Sequence, residues 1–251
     1  MDMSGRNALV TGVSRRTGIG FAIARRLQKN GAQVFVQGWT QHDAAQDRAA
    51  PGGTEGVAAE LGAPFAEADF AEPDAPARVV VAAREALGPL DVLVVNHARS
   101  GAGALAQTTA DDLDAFFAEN VRASLLLVQA FAAQHDDARG GGRVVLMTSG
   151  IHKEPMPSEL GYAVSKGALH IATPTLAHEF ADRGITVNCV NPGPTDTGWG
   201  LAEIDPALRM PAGRWGEPDD AARLVAWLCS DDAHWITGQT IDSEGGFRRS
   251  I

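Results

Sequence analysis

Short stretches that are apolar at nearly every position alternate along this chain with longer ones whose apolar residues recur at helical spacing. Residues 6–10 (RNALV), 33–37 (QVFVQ), 91–95 (DVLVV), 143–148 (RVVLMT), 185–190 (ITVNCV) and 239–242 (QTID) predict buried strands, with a weaker one near Phe65. Residues 21–32 (FAIARRLQKNGA) predict a helix, with Ala22, Ile23 and Leu27 on one face and Arg25, Arg26 and Lys29 towards water. Gly31 is placed to cap it. Further helical patterns fall at roughly 75–87, 110–134, 161–182 and 218–229.

A strand that is apolar throughout must be covered on both faces, and a helix between consecutive strands supplies that cover through a parallel crossover. The pattern therefore predicts an α/β protein over residues 1–251: one domain with a Rossmann-type, doubly wound parallel sheet flanked by helices on both faces. Residues 40–56 (TQHDAAQDRAAPGGTEG) are the least regular, and read either as a loop reaching towards the adenosine end of a cofactor or as a disordered surface insertion.

Composition narrows the functional classes. A hydrophobic content of 45% supports a packed core, and a formal net charge of −10 opposes nucleic-acid binding, although a basic pocket can exist locally. Cys189 and Cys229 each sit in an apolar run and are expected as core thiols, with no metal-ligand spacing around them. The first strand starts too near Met1 to leave room for a signal peptide, and no apolar run approaches the ~18 residues of a membrane span. A cytoplasmic protein without membrane contact is expected.

The stretch TGVSRRTGIG, residues 11–20, lies between a strand and a helix, where glycines let the backbone approach a pyrophosphate and the helix N-terminus offers free N–H groups. Gly12, Ser14, Arg15, Arg16, Gly18, Ile19 and Gly20 are thus candidate cofactor residues. Five residues separate Gly12 from Gly18, and Arg15 and Arg16 lie within that interval.

A second constellation carries chemistry. Tyr162, the only tyrosine, precedes Lys166 by four positions, which puts phenol and ammonium on one helical face. The cation is expected to lower the phenol's pKa and make it a proton donor near neutrality. Ser149, just after the strand at 143–148, could hydrogen-bond the same substrate oxygen, while Asn120 lies within the helix predicted at 110–134.

In this order, Asn120, Ser149, Tyr162 and Lys166 resemble the pattern of the short-chain dehydrogenase/reductase family, over essentially the full chain. The resemblance implies Tyr162 as acid/base, Ser149 as carbonyl anchor, Lys166 also on the nicotinamide ribose, and Asn120 in a water relay to Lys166. It further implies Asp69, followed by Phe70, near the adenine, and Asn96 and Ala98 of VNHAR along the cofactor. Pro192, Gly193, Thr195 and Thr197 of NPGPTDTG fall beside the carboxamide, and ITGQTIDSEGG resembles the family's last strand. Three departures stand out: Arg99 in place of a glycine, Pro174 inside the Tyr162 helix with a bend expected there, and the lengthened glycine turn. A longer turn also resembles the enoyl reductase branch, but that branch separates tyrosine from lysine by seven positions, so spacing here favours carbonyl chemistry.

The segment after the second strand reads QGWT, with Trp39 and no carboxylate to reject a 2′-phosphate. The expected cofactor is therefore NADP(H), with NAD(H) possible, and Arg15 and Arg16 are assigned to the phosphate. The expected substrate is a small carbonyl or alcohol, foremost a 3-oxoacyl thioester on acyl carrier protein or coenzyme A. Asp136 and Asp137 oppose an acidic carrier, while Arg139, Arg143 and Arg183 favour one. Alternatives are a dehydrogenase of a free sugar, polyol or small secondary alcohol, and a noncatalytic NADP-binding regulator. A lid at 195–213, with Trp199, Leu201, Ile204, Leu208 and Met210, suggests a partly apolar substrate. The resemblance also implies a homotetramer or homodimer, for which Leu125, Leu126, Leu127 and Phe131 are candidate interface residues, with ordinary core as the alternative.

Overall fold

The computed structural model describes residues 1–198, 201 and 205–249. Seven strands form one parallel sheet: β1 (Asn7–Val10), β2 (Gln33–Gly38), β3 (Phe65–Glu67), β4 (Val92–Val95), β5 (Arg143–Met147), β6 (Thr186–Asn191) and β7 (Thr240–Asp242). Their order, β3-β2-β1-β4-β5-β6-β7, reverses direction between β1 and β4. Such a switch point opens a crevice beyond the carboxyl ends of the strands.

Side chains alternate between two cores. Ala8, Val10, Val92, Val94, Val145 and Met147 face one side, covered by α1 (Ile19–Lys29) and α9 (Pro218–Leu228). Leu9, Leu93, Val95, Val144 and Leu146 face the other, beneath α4 (Ala75–Leu87), α6 (Ala123–Gln134) and α7 (Leu160–Glu179). Cys189 and Cys229 are buried free thiols.

Four expectations need correction. Residues 40–56 are not one loop: they hold α2 (Thr40–Ala45) and the start of α3 (Gly53–Leu61), the latter entered through Gly52 at φ 77°. Arg26 does not simply face water but forks onto Asp219 of α9, with Nε 2.8 Å from Oδ1. The predicted helix at 110–134 divides into α5 (Ala110–Phe116), a π-helical turn over Phe117–Arg122 and α6. Leu127 and Phe131, read as interface residues, are fully buried in the core. Helix α7 runs on through Pro174 to Glu179. No helix among the described residues is long and apolar enough to cross a membrane.

Candidate active site

A cavity of about 640 Å³ lies at the switch point, built from loops after every strand of the sheet. Gly12, Ser14, Arg15, Gly18, Ile19 and Trp39 line one end, and Asp69, Phe70, Asn96 and Ala98 border the middle. Ser149, Tyr162, Lys166, Pro192, Gly193, Thr195 and Thr197 line the rest. Of the lid, Leu201 borders the cavity; Trp199 and Ile204 lie outside the described residues.

The glycine turn is an interlock. Gly12 has φ 72°, and a Cβ there would stand 2.7 Å from His97 Cα; one on Gly20 would stand 2.5 Å from the Gly12 carbonyl. Asn96 Nδ2 donates to the carbonyls of Thr11 (3.0 Å) and Gly12 (3.1 Å), tying this turn to the end of β4. Gly20 thus serves packing and does not line the cavity. The N-terminus of α1 carries no side-chain cap, and Gly18 and Ile19 at that positive dipole end line the cavity.

The two arginines separate. Arg15 lines the cavity, with Nη1 3.2 Å from the Thr197 carbonyl and Nε 3.4 Å from Asp43. Arg16 is turned away from it, its Nε 2.5 Å from Glu60 Oε2. Sequence reasoning also missed a carboxylate. Asp43, three-dimensionally at the end of β2, borders the cavity and accepts a hydrogen bond from Ser14 Oγ. It escaped notice because it lies on α2, where no helix was expected.

At the other end of the cavity Ser149 and Tyr162 share the wall, and Ser149 Oγ donates to Met156 Sδ at 3.5 Å. Lys166 Nζ is 6.0 Å from the Tyr162 ring centroid and donates to the Met147 carbonyl at 2.9 Å. Desolvation pushes Lys166 down to about 8. Tyr162 moves the other way from the expectation: desolvation first, and the Glu159 carboxylate next, push it up to about 12. Four residues of helix bring Lys166 under the ring, but burial and the nearby acid set the direction of the shift.

Asn120 stands behind the cavity wall rather than on it. Its amide Nδ2 donates to the Arg99 carbonyl and to Ser165 Oγ, both at 2.9 Å, and its Oδ1 accepts from Arg99 N–H at 2.7 Å. Its own carbonyl accepts from Ser124 Oγ at 2.6 Å. The side chain is thereby spent on the backbone of Arg99 and the hydroxyl of Ser165, from its place in the π-helical turn. Arg99 does line the cavity, where it pairs with Glu119 at 2.8 Å over the Phe116 ring.

His97 was not singled out by its sequence neighbourhood. Its Nε2 donates to the Glu119 carbonyl at 3.0 Å and its Nδ1 accepts from Thr11 Oγ1 at 2.9 Å. Desolvation, then the Lys166 charge, hold it down at about 3, so it is a neutral strut. Glu154, Glu159, Glu244, Phe247 and Arg249 also line this end and carry no signal in the sequence, since they converge from two separate segments, 154–159 and 244–249.

A family model described as enoyl-(acyl carrier protein) reductase matches residues 12–248. An uncharacterized oxidoreductase of Bacillus subtilis is 40% identical, over 96% of this chain and 96% of its own. A Burkholderia cenocepacia short-chain dehydrogenase, solved in complex with NADP, is 36% identical with a TM-score of 0.84, covering 98% of this chain and 99% of its own. A blue fluorescent protein from a metagenomic library, solved with NADPH, is 33% identical with a TM-score of 0.86 over the same shares. The site geometry and these likenesses along nearly the whole length agree: the chain belongs to the short-chain dehydrogenase/reductase family of oxidoreductases.

Proposed function

We propose that the enzyme interconverts a small carbonyl compound and its secondary alcohol, using NADP(H) in preference to NAD(H). The observation that carries the reading is the meeting of Ser149, Tyr162 and Lys166 in one wall of the cavity that begins at the uncapped end of α1. That helix end and Gly18 fit a pyrophosphate, Arg15 fits a 2′-phosphate, and two similar solved proteins hold NADP or NADPH. Bound, such a cofactor supplies or accepts the hydride.

The protein's own residues handle the oxygen and its proton. Ser149 Oγ orients the carbonyl, and Tyr162 donates its phenolic proton to that oxygen as negative charge develops on it. Held at about 12 in the free cavity, the phenol is fully protonated at neutral pH and loaded for reduction. Lys166, poised at about 8, supplies positive charge beneath the ring and stabilises the phenolate left behind. Asn120 fixes the backbone of residue 99 that walls the cavity.

A free substrate is favoured over one on acyl carrier protein by one observation. Arg139, Arg143 and Arg183, the cations invoked for a carrier, stand at or near the start of β5, the end of the strand opposite Ser149. They are paired with Asp91, Asp231 and Asp137 respectively. We further propose self-association through the outward faces of α5–α7, where Phe117, Val164 and Ile171 are 58%, 63% and 72% exposed.

The test is Tyr162→Phe, assayed on ketones and alcohols with both cofactors. Turnover falls by about 10² to 10⁴ while cofactor affinity is kept. Near-normal turnover would show that another group moves the proton, and no turnover by the unaltered protein would favour a noncatalytic regulator.

A further inference from the structure

The substrate end of the cavity contains a guanidinium from the very end of the described chain. Arg209 of α8 (Pro206–Arg209) fixes the tail, accepting from Arg248 N–H at 2.9 Å and donating from Nη1 to the Arg249 carbonyl at 2.5 Å. Arg249 then lies over the Phe247 ring, 5.3 Å from its centroid, and reaches inward. A Cβ on Gly150 would stand 3.0 Å from Arg249 Nη2. The residue directly after Ser149 thus leaves the guanidinium room on the flank of the carbonyl anchor.

The partners of Arg249 are unequal. Glu244, whose side chain is 9% exposed, accepts from Arg249 Nη2 and from Asn191 Nδ2 (2.6 Å), so its charge is already matched. Glu154, 44% exposed, approaches Arg249 Nε at 3.7 Å, too far for a good hydrogen bond. The first contact is a buried, doubly supported pair; the second is a loose one that an incoming anion can replace at the cost of hydrating one surface carboxylate.

We propose that Arg249 is the specificity-determining residue for a substrate bearing an anionic group, a short oxo acid or the corresponding hydroxy acid, and that Glu154 is the internal competitor for the same guanidinium edge. The proposal rests on the carbonyl–alcohol reading above. With the reacting oxygen on Ser149 and Tyr162, a carboxylate a few bonds away faces the Nε side of Arg249, whose planar fork suits a carboxylate. Hydride and proton transfer are those of the preceding subsection, and the anion takes no covalent part.

The test uses short oxo acids of increasing chain length and their methyl esters, which share the carbonyl and differ in charge. The unaltered enzyme has the higher kcat/KM on the acid at one chain length. Arg249→Met lowers kcat/KM on that acid about tenfold to a hundredfold more than on its ester, mostly through KM. Glu154→Gln moves the acid in the opposite direction, upward, and does not depend on the tail staying in place. Thermal stabilisation of the cofactor-bound enzyme by the acid follows the same order across the variants without any turnover. An enzyme that handles ester as well as acid, with Arg249→Met and Glu154→Gln shifting both alike, would overturn the proposal and leave the carbonyl chemistry standing. Failure on every ketone and alcohol would defeat the carbonyl reading, and the thermal shifts would still decide whether Arg249 selects an anion.

Discussion

With one tyrosine in the chain, the ionisation of the Tyr162 phenol can be watched directly by ultraviolet absorbance. In the cofactor-free protein a displacement from 10.0 to about 12 disfavours the phenolate by roughly 3 kcal/mol. The sign matters for the assay. Between these two values the unfolded chain has released the proton and the folded chain has kept it, so stability falls as pH rises from about 10 towards 12. After a jump to about pH 11, all but about a tenth of the phenolate absorbance should grow at the rate at which circular dichroism reports unfolding. Glu159→Gln removes a charge that raises the value, so its midpoint shifts down; Ser149→Ala removes a hydroxyl that lowers it, so its midpoint shifts up. Adding oxidised NADP brings a cationic ring beside the phenol and shifts the midpoint down. An immediate phenolate phase centred at or below pH 10 in the folded, cofactor-free protein would refute the desolvation argument.

Lys166→Met should abolish turnover yet stabilise the protein. Desolvation from 10.5 to about 8 costs the folded state roughly 3 kcal/mol below pH 8, a penalty that fades as pH rises towards 10.5. Urea melts at pH 7 therefore show a gain of up to that size, less the lost bond to Met147, and a smaller gain at pH 10. Arg15→Ala should weaken NADPH binding about tenfold or more by calorimetry, Arg16→Ala hardly at all, and Asp43→Asn should strengthen it by freeing Arg15. Gly12→Ala, with φ 72° and a Cβ 2.7 Å from backbone, should cost at least about 2 kcal/mol in the same melts. Ile171→Asp should lower the sedimenting mass if α7 is part of a subunit contact; a monomeric unaltered protein would remove that contact.

The sheet was legible because burial on both faces leaves continuous apolar runs, and β1, β2, β4, β5 and β6 begin and end within a residue or so of those runs. Ser149, Tyr162 and Lys166 were legible because two fall on one helix at a fixed spacing and the third ends a strand. What could not be read is what depends on convergence. Asp43 sits on a short helix of six residues whose sequence resembles a loop, and its burial follows from Ser14 and Arg15 closing over it. The phenol's direction of shift was misjudged because a four-residue spacing reports proximity to Lys166 and nothing about desolvation or Glu159. Asn120 was identified as a site residue, yet its partners are backbone atoms of residue 99 and Ser165, which only the π-helical turn reveals.

The lengthened glycine turn also reaches the opposite rim, where Arg15 Nη1 and Thr17 Oγ1 both donate to the Thr197 carbonyl, at 3.2 and 3.1 Å. The acceptor is main chain, and every amino acid offers the same oxygen. Drift at position 197 therefore leaves the clasp intact, whereas positions 15 and 17 alone encode it. Across related sequences the two ends of this contact should not covary, so a clasp that bridges the cavity is one that comparing pairs of changing positions will not find.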